Sequence, residues 1–520
     1  VGLNQVDYYY GENFGTIINS HAAVNVTIGN GSGGIDNHIR DAHAGGLVGL
    51  NYGSVDQSSA SGNVAGGGNA LVGGLVGTNG DINSNVATIS GSWATGNVSI
   101  QTDMAHQMAV AGGLVGDNWG TISTSYATGN VTMSGNIWIM HGGGLVGQAR
   151  GLHDEGQSLI EQSYASGNVT INSTYTGDTN GFQPADVSAG GLVGVVDPFS
   201  TISNAYALGN VTVAGVAAAP SGSTLAAGGL IGRLAGTVEY AYSTGAVIEG
   251  AGNVIKTKYF GGSIGTAGVL DENGETLHTA NIASVYWDTG SSNLASGIGF
   301  TYAANGSAAG LTTSQARTQS CFTGTSCGGQ GGFNFDNNGE GTWFMVDGQT
   351  RPFLRAEYST TIRNAHQLQL MAMSPAALGA SYVLANDIDF TGQFNESGMW
   401  GSRGFAPIGQ TGGTFAGSLD GQGFTINALM LAPNNATMQS VGMFSTIGAG
   451  GSVSNLNFTN ANVAANIGFQ QPIEGQPISQ WVGILAGQSG GTITNVTATG
   501  TVSGLSAVGV IAGGLAGQHG

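Results

Sequence analysis

Gly112-Gly113-Leu114-Val115-Gly116, then Thr121-Ile122-Ser123, then Tyr126-Ala127-Thr128-Gly129-Asn130-Val131: this run decides the fold, because it returns down the chain. The pentapeptide stands at Gly45 to Gly49, Gly73 to Gly77, Gly143 to Gly147 and Gly190 to Gly194, with Ile at Gly228 to Gly232 and in degenerate form at Gly261-Gly262-Ser263-Ile264-Gly265. Copies are separated by roughly 28 to roughly 47 residues, a period that belongs to solenoids and related repeat folds. The aromatic-Ala block recurs at Tyr164 to Val169 and Tyr206 to Val211, with a variant at Trp93 to Val98. Insertions at Ser173 to Val187 and Ala214 to Leu225 follow that block, so variable loops gather on one side of a constant frame.

Short apolar runs bounded by Gly read as strands with a turn at each end. Gly129-Asn130 supplies turn residues just before a Val-Thr strand. One such coil cannot hide its own apolar face, so stability has to come from stacking on the next. The expected fold is all-β, a parallel β-helix or solenoid. Coils of about 20 to 25 residues at a spacing of about 4.8 Å would give a rod on the order of 100 Å long.

Composition agrees. The 95 Gly accompany only 9 Pro without a three-residue period, which excludes collagen and Pro/Gly linkers. Charged residues are 8% and hydrophobic ones 41%, the reverse of a disordered chain. A net charge of -19, from 10 Lys+Arg against 29 Asp+Glu, argues against nucleic-acid and membrane-surface partners. No apolar run is long enough for a spanning helix, so membrane insertion is not expected. Val1-Gly2-Leu3-Asn4 matches the end of Gly45-Gly46-Leu47-Val48-Gly49-Leu50-Asn51, and Gly513 to Gly517 opens another copy. The chain therefore reads as a section of something longer.

The repeat pattern breaks after about Thr279, which gives a solenoid over 1–283, an irregular aromatic-rich closing segment over 284–358 and a second solenoid over 359–520. In the closing segment Thr312 and Gln315 have capping-box spacing. In the second solenoid, Ile362, Leu368, Leu370 and Met371 suit a short capping helix ended by Pro375, and the pentapeptide returns from Gly483.

These repeats resemble the GLUG-motif proteins, filamentous-haemagglutinin-like exoproteins of bacteria. The ordered set Tyr286-Trp287-Asp288, Leu311-Thr312-Thr313, Pro352-Phe353-Leu354, Gln367-Leu368, Asn386-Asp387-Ile388-Asp389, Pro407-Ile408-Gly409 and Leu419-Asp420-Gly421-Gln422-Gly423 looks like a junction between modules of such proteins. The resemblance implies a right-handed β-helix, export to the bacterial cell surface and a role as an adhesin or extracellular filament. Its implied partners are host or bacterial surface molecules or matrix polysaccharide, and uncapped coil ends add head-to-tail self-assembly. The alternative is a β-helical polysaccharide-degrading enzyme, since the fold hosts such enzymes.

Candidate chemistry is sparse, and no catalytic set or cofactor is expected. Cys321 and Cys327 flank a short loop. In an exported protein a disulfide is the first reading, free thiols the next and a metal the last, because no second Cys pair exists to complete a zinc site. Asp387, Asp389 and Asp420 are the best carboxylate set for Ca²⁺. Against this, Asn-Asp-x-Asp between strands more often satisfies turn backbone. Asp336-Asn337-Asn338-Gly339-Glu340 resembles half of a calcium loop without its closing Glu. His21, His106, His141 and His153 are dispersed, with no zinc-protease spacing. Sequons at Asn130, Asn168, Asn210, Asn435, Asn457 and Asn495 come largely from the turn-to-strand motif, and outward ones are open to glycosylation. Tyr126, Tyr164, Tyr206 and Tyr242 recur in step, which favours a packed ladder over a sugar-binding track.

Overall fold

In each repeat the Val or Ile of the pentapeptide points inward and meets its counterpart one repeat away. Val48, Val76, Val115, Val146, Val193, Ile231, Ile264 and Ile298 lie side by side in parallel register. All but Ile298 are buried, and hiding one such side chain is worth about 1.5–3 kcal/mol. The structure is a computed structural model. It describes residues 2–4, 15–31, 42–81, 86–152, 156–175, 184–215, 222–253, 257–270, 276–336, 341–410, 413–469, 479–504 and 509–520.

The chain divides into two compact units, 1–315 with 320–333, and 316–319 with 334–520. In the first, all but four of the described strands form three long sheets of nine, twelve and thirteen strands, paired in parallel between successive repeats. This nearly all-β arrangement is consistent with a β-solenoid. Two apolar clusters fill it: one holds the pentapeptide Leu and Val residues with the Ile of Thr-Ile-Ser, the other the Val of Gly-Asn-Val with residues just before the pentapeptide.

The expected coil length has to be corrected. Register partners are one whole pentapeptide repeat apart, as in Val146↔Val193, because each coil contributes to all three sheets before it returns. Nine strands at about 4.8 Å make the first unit's stack roughly 40 Å deep. Leu3-Asn4 pairs with Leu50-Asn51, so the opening residues do occupy a repeat position.

Close stacking explains the second Gly of the pentapeptide. A Cβ on Gly113 would stand 2.0 Å from the Gly144 carbonyl oxygen of the next coil and 3.0 Å from the Ala127 Cβ. The same holds at Gly144, 2.1 Å from Gly191 O and 3.0 Å from Ala165 Cβ. This position thus locks the pentapeptide to the Ala of the aromatic block, which joins the two halves of the motif.

Polar columns run with the apolar ones. Buried Asn51, Asn79 and Asn118 hand hydrogen bonds along the stack at 2.7 Å each, and Asn118 donates to Ser158 at 2.6 Å. A second ladder is exposed. The side-chain carbonyls of Asn63, Asn97, Asn130 and Asn168 each accept the backbone N–H of the matching Asn in the next coil at 2.8–2.9 Å. The buried ladder satisfies polar groups that coil packing would otherwise strand.

The first part of the segment set apart in the sequence continues the same stack: Ala280–Asp288 pairs with the repeat before it, Tyr286 beside Tyr242, and then with Ala304–Leu311. Thr312 and Gln315 do form a reciprocal cap. It opens a single turn, Gln315–Arg317.

In the second unit, parallel pairs Ala486–Ser489 with Ala516–His519 restore the pentapeptide stacking. The helix Ala365–Leu370 is wholly buried and capped by Asn364. Pro375 does not end it but starts a second helix, Pro375–Leu378, behind the Ser374 N-cap. At a first helical position the missing N–H and fixed φ of Pro are favourable.

Candidate functional site

The aromatic-Ala block builds a continuous ring stack: Trp93, Tyr126, Tyr164, Tyr206 and Tyr242 lie in near-parallel pairs with centroids 6.0, 5.0, 4.8 and 5.0 Å apart. Tyr164, Tyr206 and Tyr242 are buried. This is ladder packing, and it leaves no open track at those rings. Phe322 then meets Tyr242 and Tyr286 edge-on, with Phe333 against it. Phe322 is carried by the loop that Cys321 and Cys327 close as a disulfide, with Cα atoms 5.4 Å apart.

The carboxylates proposed for calcium are taken up by turns. Asp389 Oδ1 accepts from the Thr391 N–H, the Thr391 hydroxyl and Asn427 Nδ2 at 2.7–2.9 Å, which lowers its pKa. Asp420 Oδ1 accepts from the Gln422 N–H at 2.9 Å, and this backbone bond, with Asn455, lowers its pKa too. Asp387 accepts from the Thr425 N–H at 2.7 Å. Among the described residues no group of three His, Cys, Asp or Glu gathers as a metal site. Residues 337–340 of the half calcium loop, His153, the His106 side chain, and 176–183 and 216–221 of the variable loops lie outside the described residues. The side-chain carbonyls of Asn130, Asn168 and Asn210 are engaged in the exposed ladder.

One of the dispersed histidines has company. His141 is buried, with Nδ1 3.1 Å from Gln148 Oε1 and Nε2 3.2 Å from Arg233 Nη2 and 3.6 Å from Asp186 Oδ2. Arg233 Nη2 donates to Asp186 Oδ2 at 2.7 Å, and Gln148 Nε2 donates to Asp197 Oδ2 at 2.9 Å. They flank pentapeptides: His141 stands two residues before a first Gly and Asp186 four, Gln148 and Arg233 directly follow a last Gly, and Asp197 stands three after one. The positions before and after the pentapeptide meet through these hydrogen bonds.

A cleft of about 230 Å³ opens there, lined by Asp186, Ser188, Thr224, Arg233, Tyr259 and Tyr302 among others. Burial alone would raise the Asp186 carboxyl, but Arg233 and His141 hold it well below the usual carboxylate range. Tyr302 is pushed up to about 12, first by burial and then by Tyr259. Tyr259, Phe300 and Tyr302 form a ring cluster beside the ion pair, with centroids 4.8–6.3 Å apart. This set was missed in the sequence because it comes from separate coils. The available signal was Arg233, one of only 10 Lys+Arg, placed directly after a pentapeptide.

Fold and site together define an all-β repeat protein with a polar cluster beside the pentapeptide. A family model described as the GLUG motif matches residues 41–65. Halomucin of Haloquadratum walsbyi is 36% identical over 148 residues, which is 28% of this chain and 1% of halomucin. A putative Gly-rich membrane protein of Evansella cellulosilytica is 37% identical over 119 residues, 23% of this chain and 12% of that protein. The match thus spans a small part of either relative's length. Among the described residues no helix is long and apolar enough to cross a membrane.

Proposed function

We propose that this chain is a structural stalk or filament segment of an extracellular bacterial adhesin, of the filamentous-haemagglutinin-like type, supporting attachment or aggregation at the cell surface. In this reading it comprises two consecutive right-handed β-solenoid modules with an aromatic-rich junction, and it performs no catalysis. The observation that carries it is the coil-to-coil register of the first unit, in which apolar, Asn and aromatic columns all serve stacking. The likeness to a protein named halomucin and to one named as a Gly-rich membrane protein supports a place at the cell surface. Partners on this reading are host or bacterial surface molecules or matrix polysaccharide, with head-to-tail contact between copies as a further mode.

The polysaccharide-degrading alternative is less well supported. Glycosidases generally use two carboxylates at a set separation. Asp186 lines the cleft but is already engaged by Arg233. Two assays on the 520-residue chain test the reading. Beads coated with it should attach to cells or matrix and be displaced by soluble chain, and a panel of acidic and neutral polysaccharides should show no cleavage. Unattached beads would defeat the adhesive role, and released reducing ends would favour the enzyme.

A further inference from the structure

The cleft beside the Asp186–Arg233 pair has features that stacking does not require. Its lining combines a carboxylate, a guanidinium, the hydroxyls of Ser188, Thr224 and Thr266, and the phenols of Tyr259 and Tyr302. Ser188 is fully buried, and its hydroxyl has no hydrogen-bond partner. A buried polar atom without a partner is costly and rare, and in a cleft wall it marks where another group can bind. The corresponding positions in neighbouring coils are His141 and Ala226, so nothing in the repeat demands a hydroxyl here.

We propose that this cleft binds one neutral pyranose ring of a saccharide. Planar aromatic side chains give a sugar's C–H face an apolar surface, while the Asp–Arg pair and hydroxyls offer fixed donors and acceptors for its O–H groups. Size agrees, since about 230 Å³ lies below the roughly 300–1,000 Å³ of sites for drug-sized ligands. Charge selects a neutral sugar over a uronate: Arg233 is already matched by Asp186, and the chain carries -19 overall. The inference rests on the matrix-polysaccharide partner of the proposed function and gives it a site, while a stalk that binds no sugar here is still a stalk.

The test is saturation-transfer NMR with calorimetric titration on the full 520-residue chain. The probes are the methyl glycosides of glucose, galactose, mannose and N-acetylglucosamine, and glucuronate as the charged counterpart. At least one neutral glycoside should bind at millimolar concentration, with glucuronate weaker. Tyr302→Ala and Ser188→Val should each weaken binding by about tenfold or more. Tyr302 is only half-buried, so its variant remains folded and informative if Ser188→Val does not fold. Absence of binding by every neutral glycoside, preference for glucuronate, or wild-type affinity in Tyr302→Ala would overturn the proposal.

Discussion

Substituting Ala for the second Gly of one pentapeptide isolates the cost of disturbing coil stacking. In Gly144→Ala the new Cβ falls 2.1 Å from the Gly191 carbonyl oxygen, and the contact must open by about 1 Å to leave the range under 3.0 Å that real Cβ atoms do not occupy. The neighbours are the Gly191 carbonyl and the Ala165 Cβ, neither of which can swing away. Overpacking costs about 1–3 kcal/mol when neighbours can adjust, and the upper end applies here. Against it stands about 0.4–1 kcal/mol gained by restricting the unfolded chain. The net expectation is a loss of about 2 kcal/mol or more. In the 520-residue chain Gly514 is the matched control: it holds the same motif position, and there an added Cβ meets nothing within 4 Å. Gly514→Ala should be neutral or slightly stabilising. Guanidinium unfolding followed by far-UV circular dichroism compares the two, and equal midpoints would refute the stacking argument.

Asn79→Ala cuts the buried amide ladder on both sides, leaving Asn51 and Asn118 each short of a partner; a loss of about 2–4 kcal/mol is expected in the same unfolding assay. Tyr206→Leu removes two ring contacts at 4.8 and 5.0 Å, worth about 0.5–1.5 kcal/mol each beyond area burial, so Tyr206→Phe should retain most of the stability that Tyr206→Leu loses. Asp186 has a folded pKa below its ordinary value of 3.8. Its contribution to stability is therefore fully present above that value and lost as pH falls further below it. Unfolding midpoints measured from pH 7 downward should fall less steeply in Asp186→Asn than in wild type.

Much of this was legible in the sequence because the motif positions carry the stacking chemistry themselves. Leu145, Val146, Ile160, Tyr164, Ala165 and Val169 are buried as their repeat suggested, with the tyrosines forming the ladder. Coil length was misjudged because the Tyr-Ala and Gly-Asn-Val blocks look like separate turns, whereas they feed two sheets of one coil. Pro375 was read as a stop signal, but Ser374 before it makes it a helix start. The cleft was illegible for a different reason: Asp186 and Arg233 are 47 residues apart in sequence and meet only because stacking fixes which coil faces which.

Engineered disulfides read the central claim, one full repeat per coil in parallel register, most directly. Thr132 and Thr170 are register partners in neighbouring coils, at a spacing of about 4.8 Å that falls within disulfide reach. The double variant Thr132→Cys/Thr170→Cys should cross-link on mild oxidation, while Thr132→Cys/Asn172→Cys, two residues out of register and about 8 Å apart, should not. Efficient cross-linking of the second pair, or failure of the first in folded protein, would contradict the coil assignment from which the columns, the ladder and the cleft all follow.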